Sequence, residues 1–126
     1  MYLIFDTSIL ISLSRGSRET IAKISDLRKS YSSPAKISFM SYYEFVDGLR
    51  NKAEKNKEKS MEFLEKFEVI QTTKNTALIL ASLKSKYELS LTDLMIAAQT
   101  IEANGILVTK DNDFKEIIEL NKIVIN

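Results

Sequence analysis

The stretch "LIFDTSIL", residues 3–10, decides the fold. Residues 2–5 form a short apolar run, rich enough in isoleucine and aromatics to be a buried strand. Asp6 ends the run, and residues 7–14 read as a short helix. A strand that passes straight into a helix leaves the intervening carboxylate at the strand's carboxyl end.

The same alternation continues along the chain. Ser17 is placed to cap a second helix, with Ile21, Ile24 and Leu27 at three-residue spacing on its inner face. Pro34 and its neighbours make a turn, residues 37–40 form a second apolar run, and "SYYEFVDGLR" starts a helix at about Ser41. Residues 50–59, "RNKAEKNKEK", are strongly polar and read as an exposed helical stretch or turn; Met61, Leu64 and Phe67 continue a helix. "EVIQT" is a third strand. Leu80, Leu83 and Tyr87 line one face of a helix over residues 74–87, and Leu91, Leu94, Met95, Ala98 and Ile101 do the same for the next. Gly105 follows as a C-cap region, "ILV" is a strand, residues 111–120 hold a short helix, and "IVI" is the last strand. Strands separated by helices imply a parallel sheet with right-handed crossovers and helices on both faces. The expectation is an α/β protein: one domain over residues 1–126, a three-layer α/β/α sandwich with a mainly parallel sheet of about five strands. In such sheets the ligand crevice lies at the carboxyl ends of the strands.

Composition narrows the chemistry. A length of 126 residues suits one domain, and 44% hydrophobic with 28% charged residues is ordinary for a soluble globular chain. No apolar run approaches the roughly 18 residues of a membrane helix, and an acid at position 6 with no basic flank before it argues against a signal peptide. A cytoplasmic location and no membrane partner are expected. Cysteine is absent, which excludes disulfides, a thiolate nucleophile and Cys-ligated zinc. Histidine is absent too, which removes the commonest general base, the Ser-His pair and the usual zinc ligands. Net charge is +1, so nucleic-acid binding would rest on a local basic patch.

Of six aspartates, Asp6, Asp93, Asp111 and Asp113 fall at or near helix starts, and Glu44 lies a few residues past the second apolar run. Each alone reads as a helix cap or a first-turn carboxylate; Ser41-x-x-Glu44 and Ser90-x-x-Asp93 both match the capping box. Together they read differently. On a parallel sheet Asp6, Glu44, Asp93 and Asp111 point into one crevice, where four carboxylates repel unless a hard divalent cation joins them. Such a site activates water and neutralises a phosphodiester, and it needs neither His nor Cys.

Over nearly its full length the chain resembles a PIN-domain ribonuclease of the VapC toxin type. "LIFDTSIL" resembles the first motif, with Asp6 as the acid and Thr7-Ser8 as its hydroxyl neighbours; "SYYEFVDGL" the second, with Glu44 and Gly48; "LSLTDLMIAA" the third, centred on Asp93; and "ILVTKDNDF" the fourth. In that fourth motif the resemblance puts the site acid two residues after the strand-ending hydroxyl, at Asp111 after Thr109, and leaves Asp113 at a variable position. It implies a Mg²⁺- or Mn²⁺-dependent endoribonuclease with Asp6 and Asp93 as principal ligands, Glu44 and Asp111 completing the site, and Thr109, Ser8 and Asp113 in the outer shell. It further implies products with 5′-phosphate and 3′-hydroxyl ends, a homodimer and a cognate antitoxin, with the apolar, tyrosine-rich second motif as a candidate surface.

Arg15, Arg18, Arg50, Lys110 and Lys115 lie close in sequence to the acidic motifs and are candidates to hold RNA phosphates, or ordinary surface charge. Asp47 reads as a solvated helix residue, and Tyr42, Tyr43 and Phe45 as packing or dimer contacts rather than base-stacking surfaces. A receiver domain wants paired acids after the first strand and a haloacid-dehalogenase phosphatase wants Asp-x-Asp, but here Ser8 occupies the third position. A toprim nuclease would use "DND" earlier in the chain. The remaining alternatives are an RNA-processing nuclease outside a toxin–antitoxin pair and a non-catalytic interaction module in which the acids are only caps.

Overall fold

A computed structural model describes residues 1–125. Strands β1 (Leu3–Phe5), β2 (Lys36–Ser38), β3 (Glu68–Ile70), β4 (Ile106–Thr109) and β5 (Lys122–Val124) form one sheet in the order β3-β2-β1-β4-β5. Every pairing is parallel. Among the described residues six α-helices connect and cover them: α1 (Thr7–Ser14), α2 (Arg18–Ser30), α3 (Phe39–Asp47), α4 (Glu54–Leu64), α5 (Lys74–Lys86) and α6 (Leu91–Glu102). The three-layer α/β/α sandwich expected from the alternation is the observed fold.

The pleat assigns the core. Leu3, Phe5, Ile37, Ile106 and Val108 point to one face, where Ile9, Leu10, Ile24, Phe45, Leu49 and Leu64 cover them. Ile4 and Leu107 point to the other, against Leu83, Leu94, Phe114 and Ile117. β1 sits at the centre with β2 on one side and β4 on the other, registering Phe5 with both Ile37 and Val108. This is the switch point of the strand order, where doubly wound sheets open their crevice. Asp6 follows β1 there and Lys110-Asp111 follows β4.

Helix α6 runs through the second layer with Leu94, Ile96, Ala97, Ala98, Gln99 and Thr100 all buried. The Gln99 carboxamide accepts from the Met40 amide (3.3 Å) and donates to Thr72 Oγ1 (2.9 Å), tying α3 to the segment after β3. Gln99→Leu keeps the volume but strands the Met40 amide, and we expect it to cost about 1–3 kcal/mol in urea denaturation without change of fold.

Four local expectations change. The second apolar run is divided: Lys36–Ser38 is strand, and Phe39 and Met40 already belong to α3. Its cap is Ser38, whose Oγ accepts from the Ser41 amide at 3.0 Å, so Ser41-x-x-Glu44 is no capping box and Ser41 is fully buried. Ile21 (46% exposed) and Leu91 (57%) lie on the expected stripes, but no neighbouring element covers them. The helix expected over residues 111–120 shortens to a 3-10 helix, Asn112–Glu116. Gly105 does lie in the C-cap region of α6, its amide donating to the Thr100 carbonyl at 3.0 Å, and the left-handed residue there is Asn104, with φ 53°. Gly105 is needed because an added Cβ would stand 2.6 Å from Ile4 Cγ1.

Candidate active site

Asp6 caps α1 from the end of β1 and is 4% exposed. Its Oδ1 accepts from Ser8 Oγ (2.6 Å) and the Ile9 amide (3.2 Å), and its Oδ2 accepts from Thr109 Oγ. The same two hydroxyls hold the end of β4, because Ser8 Oγ accepts from the Lys110 amide (3.1 Å) and Thr109 Oγ from the Asp111 amide (3.0 Å). Burial pushes the Asp6 carboxyl above the usual range; the Ser8, Thr109 and Ile9 hydrogen bonds pull it back in part, and the Asp111 charge adds to the rise.

Glu44 lies well inside α3 rather than at its cap, and its Oε1 accepts from Thr7 Oγ1 at 2.5 Å. Thr7 thereby joins the first and second acidic segments. Its hydroxyl was the only sequence signal for this, and hydroxyls at helix starts are too common to single one out.

Asp93 is in the first turn of α6, with its amide donating to Ser90 Oγ at 3.1 Å. It is half-buried. Burial raises its carboxyl first, then the charge of Asp111, with Glu44 and Asp113 contributing in the same direction. Asp111 caps the 3-10 helix by accepting from the Asp113 amide at 2.8 Å.

One carboxylate oxygen each from Asp93, Asp111 and Asp113 lies within 4.8 Å of the others. Asp113, expected in an outer shell, therefore stands with Asp93 and Asp111, although its side chain is exposed. Asp6 and Glu44 flank this group, close enough for Asp6 to feel Asp111 and for Asp93 to feel Glu44. The donor set fits a hard divalent cation: it is all oxygen, lacks His and Cys, and repels itself until a cation neutralises it.

The basic candidates separate. Arg15 lines a cleft with Glu44. Lys110 is anchored beside Asp6 through its amide, and its charge reaches Glu19. Arg50 is engaged by Asp47 (Nε–Oδ1 3.0 Å), so Asp47 is tied to that pair. Arg18 and Lys115 are exposed. Of the aromatics around Glu44, Phe45 is buried against Phe63, Tyr42 donates to Glu65 at 2.6 Å, and Tyr43 is 54% exposed.

The PIN-domain family model matches residues 3–120, and the chain belongs to the PIN-domain family, a family of nucleases. No curated protein sequence matches it. Among solved structures it is similar to VapBC2 from Rickettsia felis bound to a DNA fragment from its promoter, with 23% identity over 100% of both chains and a TM-score of 0.86. It is also similar to VapBC-1 from nontypeable Haemophilus influenzae (22% identity, 98% of both chains, TM-score 0.80) and to a toxin–antitoxin complex from Klebsiella pneumoniae (25% identity, 94% of both chains, TM-score 0.76). Among the described residues no helix is long and apolar enough to cross a membrane.

Proposed function

We propose that this protein is a divalent-metal-dependent endoribonuclease and the toxin of a VapBC-type pair. The observation that carries the reading is the convergence of Asp93, Asp111 and Asp113 within 4.8 Å, flanked by Asp6 and Glu44, at the switch point of a parallel sheet. Asp93, Asp111 and Asp113 would hold Mg²⁺ or Mn²⁺, with Asp6 and Glu44 as further carboxylates at the same edge. A bound cation there supplies activation of water for in-line attack and neutralises charge on the phosphodiester. The chain's own part is placement. Thr109 and Ser8 hold the Asp6 carboxylate and both strand ends in one arrangement, and Thr7 orients Glu44. With no histidine in the chain, proton acceptance falls to these carboxylates or to solvent.

The toxin–antitoxin structures similar to this chain support an antitoxin partner. So does α3, the helix that bears Glu44, with an exposed apolar stripe of Phe39, Tyr43 and Val46. The same stripe can serve a homodimer; a single-protomer mass by light scattering at micromolar concentration would remove that second role.

The test is cleavage of single-stranded RNA by the purified protein with Mg²⁺ or Mn²⁺ and with EDTA. Cleavage should require the metal and leave 5′-phosphate and 3′-hydroxyl ends; undiminished cleavage in EDTA would sink the reading. At saturating metal, Asp111→Asn should lower kcat/KM more than Asp113→Asn. Asp113 is exposed, and water screens its charge more than that of half-buried Asp111. Equal losses would show that exposure does not weaken the hold of Asp113 on the ion.

A further inference from the structure

We infer that the cleft between α1 and the end of α3 is a subsite for a backbone phosphate of the RNA, held by Arg15 and Lys52. The inference rests on the ribonuclease reading above and says where the anionic substrate is gripped. The cleft has a volume of about 80 Å³, room for two or three waters or one phosphate group. Arg15, Lys52, Ser14, Gly48 and Glu44 line it, over an apolar floor that includes Phe45. Glu44 lines this cleft and its charge reaches Asp93 of the acidic group.

Three observations point to an anion. First, among the described residues the side chains of Arg15 and Lys52 have no carboxylate partner, and the two line one cleft together. Glu44 lines the same cleft, but its carboxylate is turned to Thr7 Oγ1. Second, the fold does not call for a glycine at position 48. Its backbone is helical (φ −66°, ψ −14°), and an added Cβ would meet only the Glu44 and Phe45 carbonyl oxygens at 3.4 Å, an ordinary contact. A glycine at this C-cap serves no positive φ, and its bare backbone leaves the cleft wall open to close approach by a ligand. Third, a polyanion nearing five carboxylates meets repulsion that neighbouring cations offset. Arg15 suits this because guanidinium binds two phosphate oxygens at once, with Lys52 adding a point charge.

The test uses the full-length protein and a single-stranded oligoribonucleotide, comparing wild type with Arg15→Gln/Lys52→Gln and with the charge-keeping Arg15→Lys/Lys52→Arg. Both positions are exposed, and thermal melts check folding; if the double variant melts early, Lys52→Gln alone carries the comparison. The neutral variant should raise KM about ten-fold, leave kcat within about three-fold, and make the slope of log affinity against log salt shallower by about 0.7. The charge-keeping variant should restore most of the affinity. If wild type cleaves the RNA while the neutral variant keeps its KM and salt slope, the subsite is wrong and the ribonuclease reading stands. If the neutral variant keeps RNA affinity but loses binding to an antitoxin peptide, the cleft serves a protein partner and the subsite is wrong. If wild type neither binds nor cleaves RNA with Mg²⁺ or Mn²⁺, both fall together.

Discussion

Asp93→Asn should abolish metal-dependent RNA cleavage, by at least about a hundred-fold in kcat/KM, and should raise the melting temperature of the metal-free protein. The two effects share one cause. Asp93 is half-buried among Asp111, Glu44 and Asp113, and both burial and those charges raise its carboxyl above the usual range. In the unfolded chain the same carboxyl titrates near 3.9. Between that value and the higher folded value the native state holds more protons than the unfolded one. Stability therefore falls as pH rises through that window, and above the folded value it stays lowered. Asparagine removes the charge, while the Asp93 amide keeps its bond to Ser90. Water reaches the half-buried side chain, so the gain is modest, about 1–3 °C at pH 7 in EDTA. It should shrink when the melts are repeated below pH 4. Saturating Mg²⁺ should reverse the order, because a cation that binds only the folded wild type stabilises it by mass action. A variant that melts lower than wild type in EDTA at pH 7 would show that the carboxylates do not strain one another. A variant that still cleaves would remove Asp93 from the site.

Gly105→Ala should destabilise the fold by about 1–3 kcal/mol, far more than a surface methyl normally does. The Cβ would lie 2.6 Å from Ile4 Cγ1 and 2.8 Å from Cδ1, and Ile4 is fully buried in the central strand. β1 and β4 pair directly there, with the Ile106 amide donating to the Tyr2 carbonyl at 2.9 Å, so neither strand can step back without breaking the sheet. Urea denaturation should show a lower midpoint with an unchanged m-value. Ile4→Val in the Gly105→Ala background should recover part of the loss. If Gly105→Ala alone leaves the midpoint unchanged, the contact between β4 and Ile4 is looser than the geometry shows.

Much of this protein is legible in its sequence, because local physics writes it there. Residues 2–5 are apolar and followed by Asp6, so a buried strand passing into a capped helix is the reading with least conflict, and Asp6 does cap α1. Alternation of such strands with helices of 3.6-residue period leaves few ways to bury both faces, and the parallel sandwich is one. Absence of His and Cys left oxygen chemistry as the default. Boundaries were less legible where two neighbours compete for one role. Ser38 and Ser41 can both cap α3 and both end fully buried; the register that stops β2 at Ser38, where its Oγ meets the Ser41 amide, selects Ser38. The same limit applies to Ile21 and Leu91, whose stripes are helical but uncovered, since periodicity does not say where a partner helix ends.

The composition, the order of elements and the identity of the acids were determined by the sequence alone, through short-range preferences that each residue expresses without its distant neighbours. Only the tertiary structure decided that Asp113 stands with Asp93 and Asp111, that Thr7 holds Glu44 across 37 residues, and that Gly105 yields its space to Ile4. These are contacts between segments far apart in the chain, and their distances depend on how strands register and helices seat, which no local pattern encodes.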